Sequence, residues 1–221
     1  MNISPKKNSK KFQRLFYVNP KLISTILFIP FLYILGWLLA QPLNLLNVNK
    51  EDIPLIGTIF TFLIFVILLP YWFRIRWGIL NTWKILGIKT SNKNQNSIFY
   101  YFLKGLLYSI ILMSSILFPL IGTQYGHWLG KISTEIIINF IFLIIGVGFA
   151  EELVFRGWLL EEFKKQFGLK KALIFQALIF SLVHIGFNLP FLQMLCILSG
   201  IFLLGILLAL IRLNDKNSLW G

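Results

Sequence analysis

The sequence predicts an all-α fold: a polytopic membrane helix bundle with about six transmembrane helices. The chain of 221 residues is 57% hydrophobic, with a mean hydropathy of +0.77, whereas soluble domains contain about 45–50% apolar residues. Its apolar residues fall into runs of about 20 residues with few charges, the length that an α-helix needs to cross a bilayer. We expect one compact bundle at residues 22–213. The single cysteine, Cys196, excludes an intrachain disulfide.

The first element is a basic arm at residues 1–21, which contains lysine and arginine but no acidic residue. Residues 22–40 then form an uncharged apolar run, which predicts the first transmembrane helix. A cleaved signal peptide is the rival interpretation, but the apolar run is too long and the small-x-small cleavage pattern is missing. We therefore expect an uncleaved anchor helix.

Five further apolar runs predict the remaining membrane helices. They are residues 53–73, 98–121, 132–150 with a continuation to about 165, 170–187 and 191–213. Gly168 is predicted to end the fourth helix, because glycine readily adopts the backbone conformation found just after a helix. Between the second and third runs, Trp and Leu residues at three-residue spacing predict a short interfacial helix at residues 77–86.

The distribution of basic residues predicts the orientation in the membrane. Of the 21 Lys and Arg residues, all but Lys50 and Lys131 fall on the side that holds both chain ends. Because basic loops stay in the cytoplasm, we expect a multi-pass protein of the cell membrane with a cytoplasmic N-terminus. The net charge of +13 lies in short connections that face anionic lipid. It therefore indicates a lipid bilayer as partner and no nucleic acid.

Two polar stretches interrupt the apolar pattern at matching depths. Glu151 and Glu152 come directly after the fourth apolar run, and His184 lies near the end of the fifth. An ionisable side chain at membrane depth costs about 2.5–3.5 kcal/mol on insertion scales, so it is usually functional. If the two helices fold back antiparallel about Gly168, Glu151 and His184 return to one level. The same geometry pairs Phe155 with Phe180.

Helical spacing indicates which side chains share a face. Glu152 and Arg156 are four residues apart and can pair on one side of the fourth helix, which leaves Glu151 free to face the fifth. On that helix, side chains at four-residue spacing form one stripe that should face protein or water rather than lipid. Its members are Gln176, Phe180, His184 and Asn188.

These residue types allow the activation of a water molecule. A glutamate in an apolar surrounding can act as a general base, and a nearby imidazole can share the proton, bind the water or ligate a metal. Glu151 and His184 are therefore also candidate ligands of zinc or another divalent metal. Peptide hydrolysis further needs a group that stabilises the oxyanion, and neither stretch supplies one.

The pattern Glu151-Glu152-x-x-x-Arg156 followed by Phe180-x-x-x-His184 resembles the CPBP family of intramembrane proteases, also called the Abi or CAAX-protease family. The resemblance covers roughly residues 146–221, within a core that we place at about residues 132–221. It implies an endopeptidase with Glu151 as the base that activates water and His184 beside it. Glu152 and Arg156 would hold the site, with Phe180 and Asn188 as neighbours. Its family is often described as metalloproteases, although a glutamate mechanism without a tightly bound metal has also been argued.

The resemblance also implies the kind of substrate and a missing element. The substrate would be a membrane-associated protein or peptide, such as a prenylated tail or a bacteriocin-like leader. The family has a third motif, a His followed four residues later by Asn, on a helix after a stretch like Ser218-Leu219-Trp220. That helix is absent from this sequence, so we expect either a fragment or a protein that lacks part of the site.

Several simpler interpretations remain open. Glu151 and Glu152 could be ordinary helix-end carboxylates, His184 a core histidine bonded to a carbonyl, and Asn188 a turn former. His127 is interpreted as a loop residue on the opposite face, and the tryptophans as interfacial anchors. The charged residues of 161–165 are interpreted as a solvated helix end.

Two other functions compete with the protease. One is a non-catalytic immunity or scaffold protein of the same family. The other is a small transporter that relays protons between Glu151 and His184, although the sequence shows no repeat-related halves of the kind that many transporters have.

Overall fold

The computed structural model describes residues 7–46, 48–50, 52–89, 96–126, 130, 132–215 and 218–219. Side chains are described from residue 21 onward, except for a few inside helices. Every regular element in these segments is helical, which confirms the predicted all-α class. The chain divides into two units, residues 1–80 and 81–221.

The first unit contains two long helices. Helix α1 is Lys7–Ala40, followed by a short 3₁₀ helix at Gln41–Leu46, and helix α2 is Ile53–Trp77. The first helix therefore begins inside the predicted basic arm, and α2 continues one turn beyond its predicted end. Pro70 lies within α2. Gly78 ends α2 with a φ of 68°, and its N–H donates to the carbonyl of Arg74, which is the glycine stop that helices commonly use.

Small residues let α1 and α2 lie close together. A side chain on Gly36 would come within 2.5 Å of the Gly57 carbonyl oxygen. Thr61 lies at the same crossing, and its hydroxyl donates to the Leu32 carbonyl at 3.2 Å. Close backbone approach at glycine, with a hydroxyl bonded across the helices, is typical of membrane helix pairs.

The second unit contains the remaining helices. They are α3 (Thr82–Ile85), α4 (Asn96–Gly122), α5 (Thr134–Phe142), α6 (Phe149–Glu151), α7 (Leu160–Phe167), α8 (Leu169–Leu182) and α9 (Phe191–Asn214). Wide π-helical turns at Leu143–Gly148 and Glu152–Leu159 join α5, α6 and α7. The predicted interfacial helix at residues 77–86 was wrong in extent, because the glycine stop at Gly78 reduces it to the single turn α3.

Helix α8 is shorter than the sequence predicted. It ends at Leu182 rather than near Phe187, and a turn containing His184 leads to Pro190 and α9. The His184 ring bonds back to the Phe180 carbonyl, which occupies an acceptor near the helix end. With 14 residues, α8 is about 21 Å long, less than the hydrocarbon core of about 30 Å.

In the part of the chain that the structure describes, four helices are long and apolar enough to cross a membrane. They are Lys21–Leu46, Ile53–Trp77, Ile98–Gly122 and Phe191–Asn214. Their exposed surfaces are rich in large apolar side chains, as lipid contact requires. The predicted count of about six is not confirmed, since α8 is short and the helical stretch before it consists of short α and π segments.

Helices α7, α8 and α9 form the packed part of the second unit. Gly168, with a φ of 80°, separates α7 from α8 as predicted. The Ser181 hydroxyl donates to the Leu198 carbonyl at 2.6 Å and joins α8 to α9. Lys104 on α4 forms an ion pair with Asp215, and the Leu219 N–H donates to the Gly87 carbonyl. These contacts join α8 to α9 and connect the C-terminal end of α9 and the residues after it to α4 and to the turn after α3.

Candidate active site

The antiparallel arrangement of the helices before and after Gly168 brings Glu151 and His184 together. The Glu151 Oε1 and His184 Nε2 atoms are 3.8 Å apart. One turn away, the Phe155 and Phe180 rings meet edge to face with centroids 5.0 Å apart. Both pairings predicted from the depth of these residues are therefore confirmed as contacts.

The backbone fixes the protonation pattern of the His184 ring. Its Nδ1 atom lies 2.7 Å from the Phe180 carbonyl oxygen. A carbonyl oxygen can only accept a hydrogen bond, so Nδ1 carries the proton and donates it. In the neutral ring, Nε2 then presents a lone pair toward the Glu151 carboxylate. Two acceptors 3.8 Å apart do not bond each other, but a water between them can donate one O–H to each.

The Glu151 and His184 side chains differ in exposure from the neighbouring Arg156 and Phe180. The Glu151 and His184 side chains are 36% and 34% exposed, so the described residues enclose neither of them. Arg156 and Phe180 are only 1% and 4% exposed. The exposed pair is therefore the candidate for direct chemistry, and Arg156 and Phe180 are its buried neighbours.

Arg156 connects the two helices beneath the pair. Its Nη1 atom lies 3.4 Å from the Glu152 Oε1 atom, which is the i,i+4 ion pair that the sequence predicted. Its guanidinium carbon lies 4.0 Å from the centre of the Phe180 ring, a cation–π contact. The Phe180 ring in turn meets the His184 ring edge to face at 4.9 Å. Glu152, Arg156, Phe180 and His184 thus form one chain of contacts.

The structure does not bring Asn188 into this arrangement. The predicted four-residue stripe requires a helix, and α8 ends at Leu182. Asn188 lies in the following turn with an exposed side chain, so its turn-forming interpretation fits better. Gln176, two turns before His184, is fully buried, and its amide has no hydrogen-bond partner among the described residues.

The interpretation of residues 161–165 as a solvated helix end was wrong for its two acids. Glu161 and Glu162 are 5% and 0% exposed. Glu161 lies 3.8 Å from Arg212 on α9 and 3.2 Å from Lys164. Arg212, itself 2% exposed, donates to the Ile85 carbonyl. The sequence did not reveal the buried Glu161–Arg212 pair, because consecutive charged residues at a helix end are usually solvated. Arg212 also lies far from Glu161 along the chain.

The donor set for a metal is incomplete in the residues described. Glu151 and His184 offer two ligands, one fewer than the three protein ligands usual at catalytic zinc. No cluster of three His, Cys, Asp or Glu side chains suited to a metal occurs within the described ranges. We therefore derive no step through a metal, and zinc or another divalent metal stays a prediction. His127 and Trp220 lie outside the described residues.

Two family models match different parts of the chain, and the N-terminal match ends close to the boundary between the two structural units. Residues 133–221 match a family model described as type II CAAX prenyl endopeptidase Rce1-like. Residues 5–81 match a family described as a domain of unknown function, DUF8676. No curated protein and no solved structure matches the chain. The first match covers every residue of the candidate site and is consistent with a CPBP family protease.

Proposed function

We propose that this multi-pass membrane protein is an endopeptidase that cleaves membrane-associated proteins or peptides, because residues 133–221 match the Rce1-like family model. The Glu151–His184 contact carries the proposal. It joins a carboxylate that can accept a proton to an imidazole whose Nε2 lone pair faces that carboxylate. The distance between the two groups suits one bridging water. The N-terminus is cytoplasmic in this proposal and the protein lies in the cell membrane, as the basic loops indicate.

In the proposed mechanism, the water donates one hydrogen bond to Glu151 and the other to His184. As the water oxygen bonds to the scissile carbonyl carbon, Glu151 takes its proton. His184 Nε2 holds the second O–H, and the Nδ1 bond to Phe180 keeps the ring oriented. When the carbon–nitrogen bond breaks, Glu151 returns the proton to the leaving amine. Atoms and charge balance without another reactant.

Buried neighbours restrict the motion of both reacting groups. Arg156 holds Glu152, the residue next to the base, and covers one face of Phe180. The Phe180 ring touches the His184 ring, and the Phe180 carbonyl accepts a hydrogen bond from the His184 Nδ1–H. A near-attack geometry accounts for a large share of many enzymatic rate accelerations, and this set of contacts supports that geometry.

The substrate class follows from the family description and is tested with defined peptides. The first probe carries a prenylated cysteine followed by three residues, with a fluorophore and a quencher across the bond after the cysteine. The second is an unprenylated, bacteriocin-like leader peptide. We expect purified protein in liposomes to cleave at least one probe, and the Glu151→Ala variant to cleave neither. Failure of the wild-type protein on both would overturn the proposal.

A non-catalytic immunity or scaffold role is the second candidate. One observation favours it: Glu151 and His184 supply a base and one imidazole, but no contact in the described residues adds an oxyanion donor beside them. This role predicts that a cellular phenotype survives both Glu151→Ala and His184→Ala. The protease predicts that either substitution removes the phenotype while protein levels stay normal.

A further inference from the structure

Helix α9 has a notch where it crosses α8. A side-chain carbon added to Gly205 would lie 3.1 Å from Phe180 Cδ1 and 3.2 Å from both the Cα and the Cβ of Ala177. All three distances are shorter than ordinary van der Waals contact. The absence of a side chain at residue 205 therefore allows α8 to approach α9 as closely as it does.

The Phe180 ring that fills this notch is held from several directions. Arg156 covers its face at 4.0 Å, the Phe155 ring meets it at 5.0 Å, and the His184 ring meets it at 4.9 Å. The next residue, Ser181, donates to the Leu198 carbonyl of α9. The ring has little freedom to turn aside, so a group added at Gly205 would push α8 as a whole.

We infer that Gly205 is a positioning residue for the reactive pair, acting from α9 through Phe180 on His184. Phe180 contacts His184 twice, through its ring and through its carbonyl, which accepts a hydrogen bond from the Nδ1–H. A shift of Phe180 therefore moves the imidazole relative to Glu151. This inference rests on the proposed function and extends the site to a helix that contributes no reacting group.

The first test replaces Gly205 with alanine. The added methyl must displace α8 by a few tenths of an ångström. Since misplacement by about 1 Å can cost about 10²-fold in rate, we expect kcat on the cleaved probe to fall about 3- to 10-fold with KM unchanged. The matched control is Gly200→Ala on the same helix, where an added carbon meets no atom within 4 Å. The control should keep kcat within about twofold.

A second background separates positioning from general damage to the fold. In Phe180→Leu, the ring atom nearest to the added methyl is gone, whereas the contacts with Ala177 remain. Adding Gly205→Ala should therefore lower kcat by a smaller factor than it does in the original protein. Equal effects of Gly205→Ala in both backgrounds would overturn the inference, as would equal kcat values for Gly205→Ala and Gly200→Ala.

A third measurement does not depend on cleavage. The chain has two histidines, so His127→Gln leaves His184 as the only imidazole in a ¹⁵N NMR spectrum. We expect a protonated Nδ1 and an unprotonated Nε2 in this protein and in Gly200→Ala. In Gly205→Ala, the ¹⁵N chemical shifts of Nδ1 and Nε2 should move toward each other, as they do in a ring whose proton exchanges between the two nitrogens. An unchanged spectrum would contradict the inference even if no probe is cleaved, whereas absent cleavage alone would contradict only the proposed function.

Discussion

Two carboxylate–nitrogen pairs lie in the same helical region, at the same distance but in different surroundings. Glu151 Oε1 is 3.8 Å from His184 Nε2, and Glu161 Oε1 is 3.8 Å from Arg212 Nη2. About a third of each side chain is exposed in the first pair, whereas the second is 6% and 2% exposed.

The difference teaches that distance alone does not distinguish a reactive pair from a structural one. An arginine stays protonated in proteins, so Arg212 cannot accept a proton from water, and its partner Glu161 is buried. A carboxylate and a neutral imidazole can both accept a hydrogen bond from water, and the described residues enclose neither Glu151 nor His184. We therefore propose chemistry for Glu151–His184 and a structural role for Glu161–Arg212, and the following variants test that division.

Apart from substitution of Glu151, the largest effect is expected from His184→Ala. Removing the imidazole takes away the Nε2 lone pair and the contact with Phe180, so kcat on the cleaved probe should fall about 10²- to 10³-fold. The free energy of unfolding should change by less than about 1 kcal/mol, because the side chain is partly exposed. Steady-state cleavage rates and thermal unfolding in detergent measure both. A loss of activity below tenfold would place the chemistry elsewhere.

Arg212→Met should lower the stability of the protein and leave its activity nearly unchanged. It leaves Glu161 buried with only Lys164 beside it, which should lower the free energy of unfolding by about 3 kcal/mol. The kcat per folded molecule should stay within about threefold. The double variant Glu161→Gln/Arg212→Met should recover most of the lost stability, because no unpaired buried charge remains. A stable Arg212→Met protein that has lost activity would contradict the structural role of the Glu161–Arg212 pair.

Arg156→Lys tests the support beneath the reactive pair and should have a smaller effect. Lysine keeps the charge near Glu152 but lacks the planar group that stacks on Phe180, so kcat should fall about tenfold. Arg74→Lys, at an exposed position of α2, is the matched control and should leave the rate unchanged. Equal rates for both variants would show that the stacking does not orient His184.

The smallest effect is expected at Asn188, which the sequence grouped with the site and the structure places in an exposed turn. Asn188→Ala should change kcat by less than about twofold and the free energy of unfolding by less than about 0.5 kcal/mol. A tenfold loss of activity would restore this residue to the site.

Sequence patterns predicted the long helices and the fold-back closely. The helices predicted at residues 98–121 and 191–213 are observed at Asn96–Gly122 and Phe191–Asn214, because polar residues, glycine and Pro190 delimit the apolar runs. Gly168 marks the fold-back, and once it was placed, equal counting along both helices paired Glu151 with His184. The ion pair of Glu152 with Arg156 followed from local spacing alone.

Tertiary effects explain what the sequence could not predict. The end of α8 depends on a bond from the His184 ring to the Phe180 carbonyl, which spacing does not reveal. The burial of Glu161 depends on Arg212, a partner 51 residues away that no local pattern indicates. The notch at Gly205 likewise exists only once α8 and α9 have come together. The functional roles of Glu151 and His184 stay predictions.

One measurement tests the central claim most directly: kcat and the free energy of unfolding for Glu151→Gln compared with Glu161→Gln. Both variants replace a carboxylate with an amide of the same shape. The account predicts that Glu151→Gln loses at least about 10³-fold in kcat and folds normally, while Glu161→Gln is less stable but cleaves at nearly the original rate. A Glu151→Gln protein that still cleaves the probe within tenfold of the original rate would contradict the account.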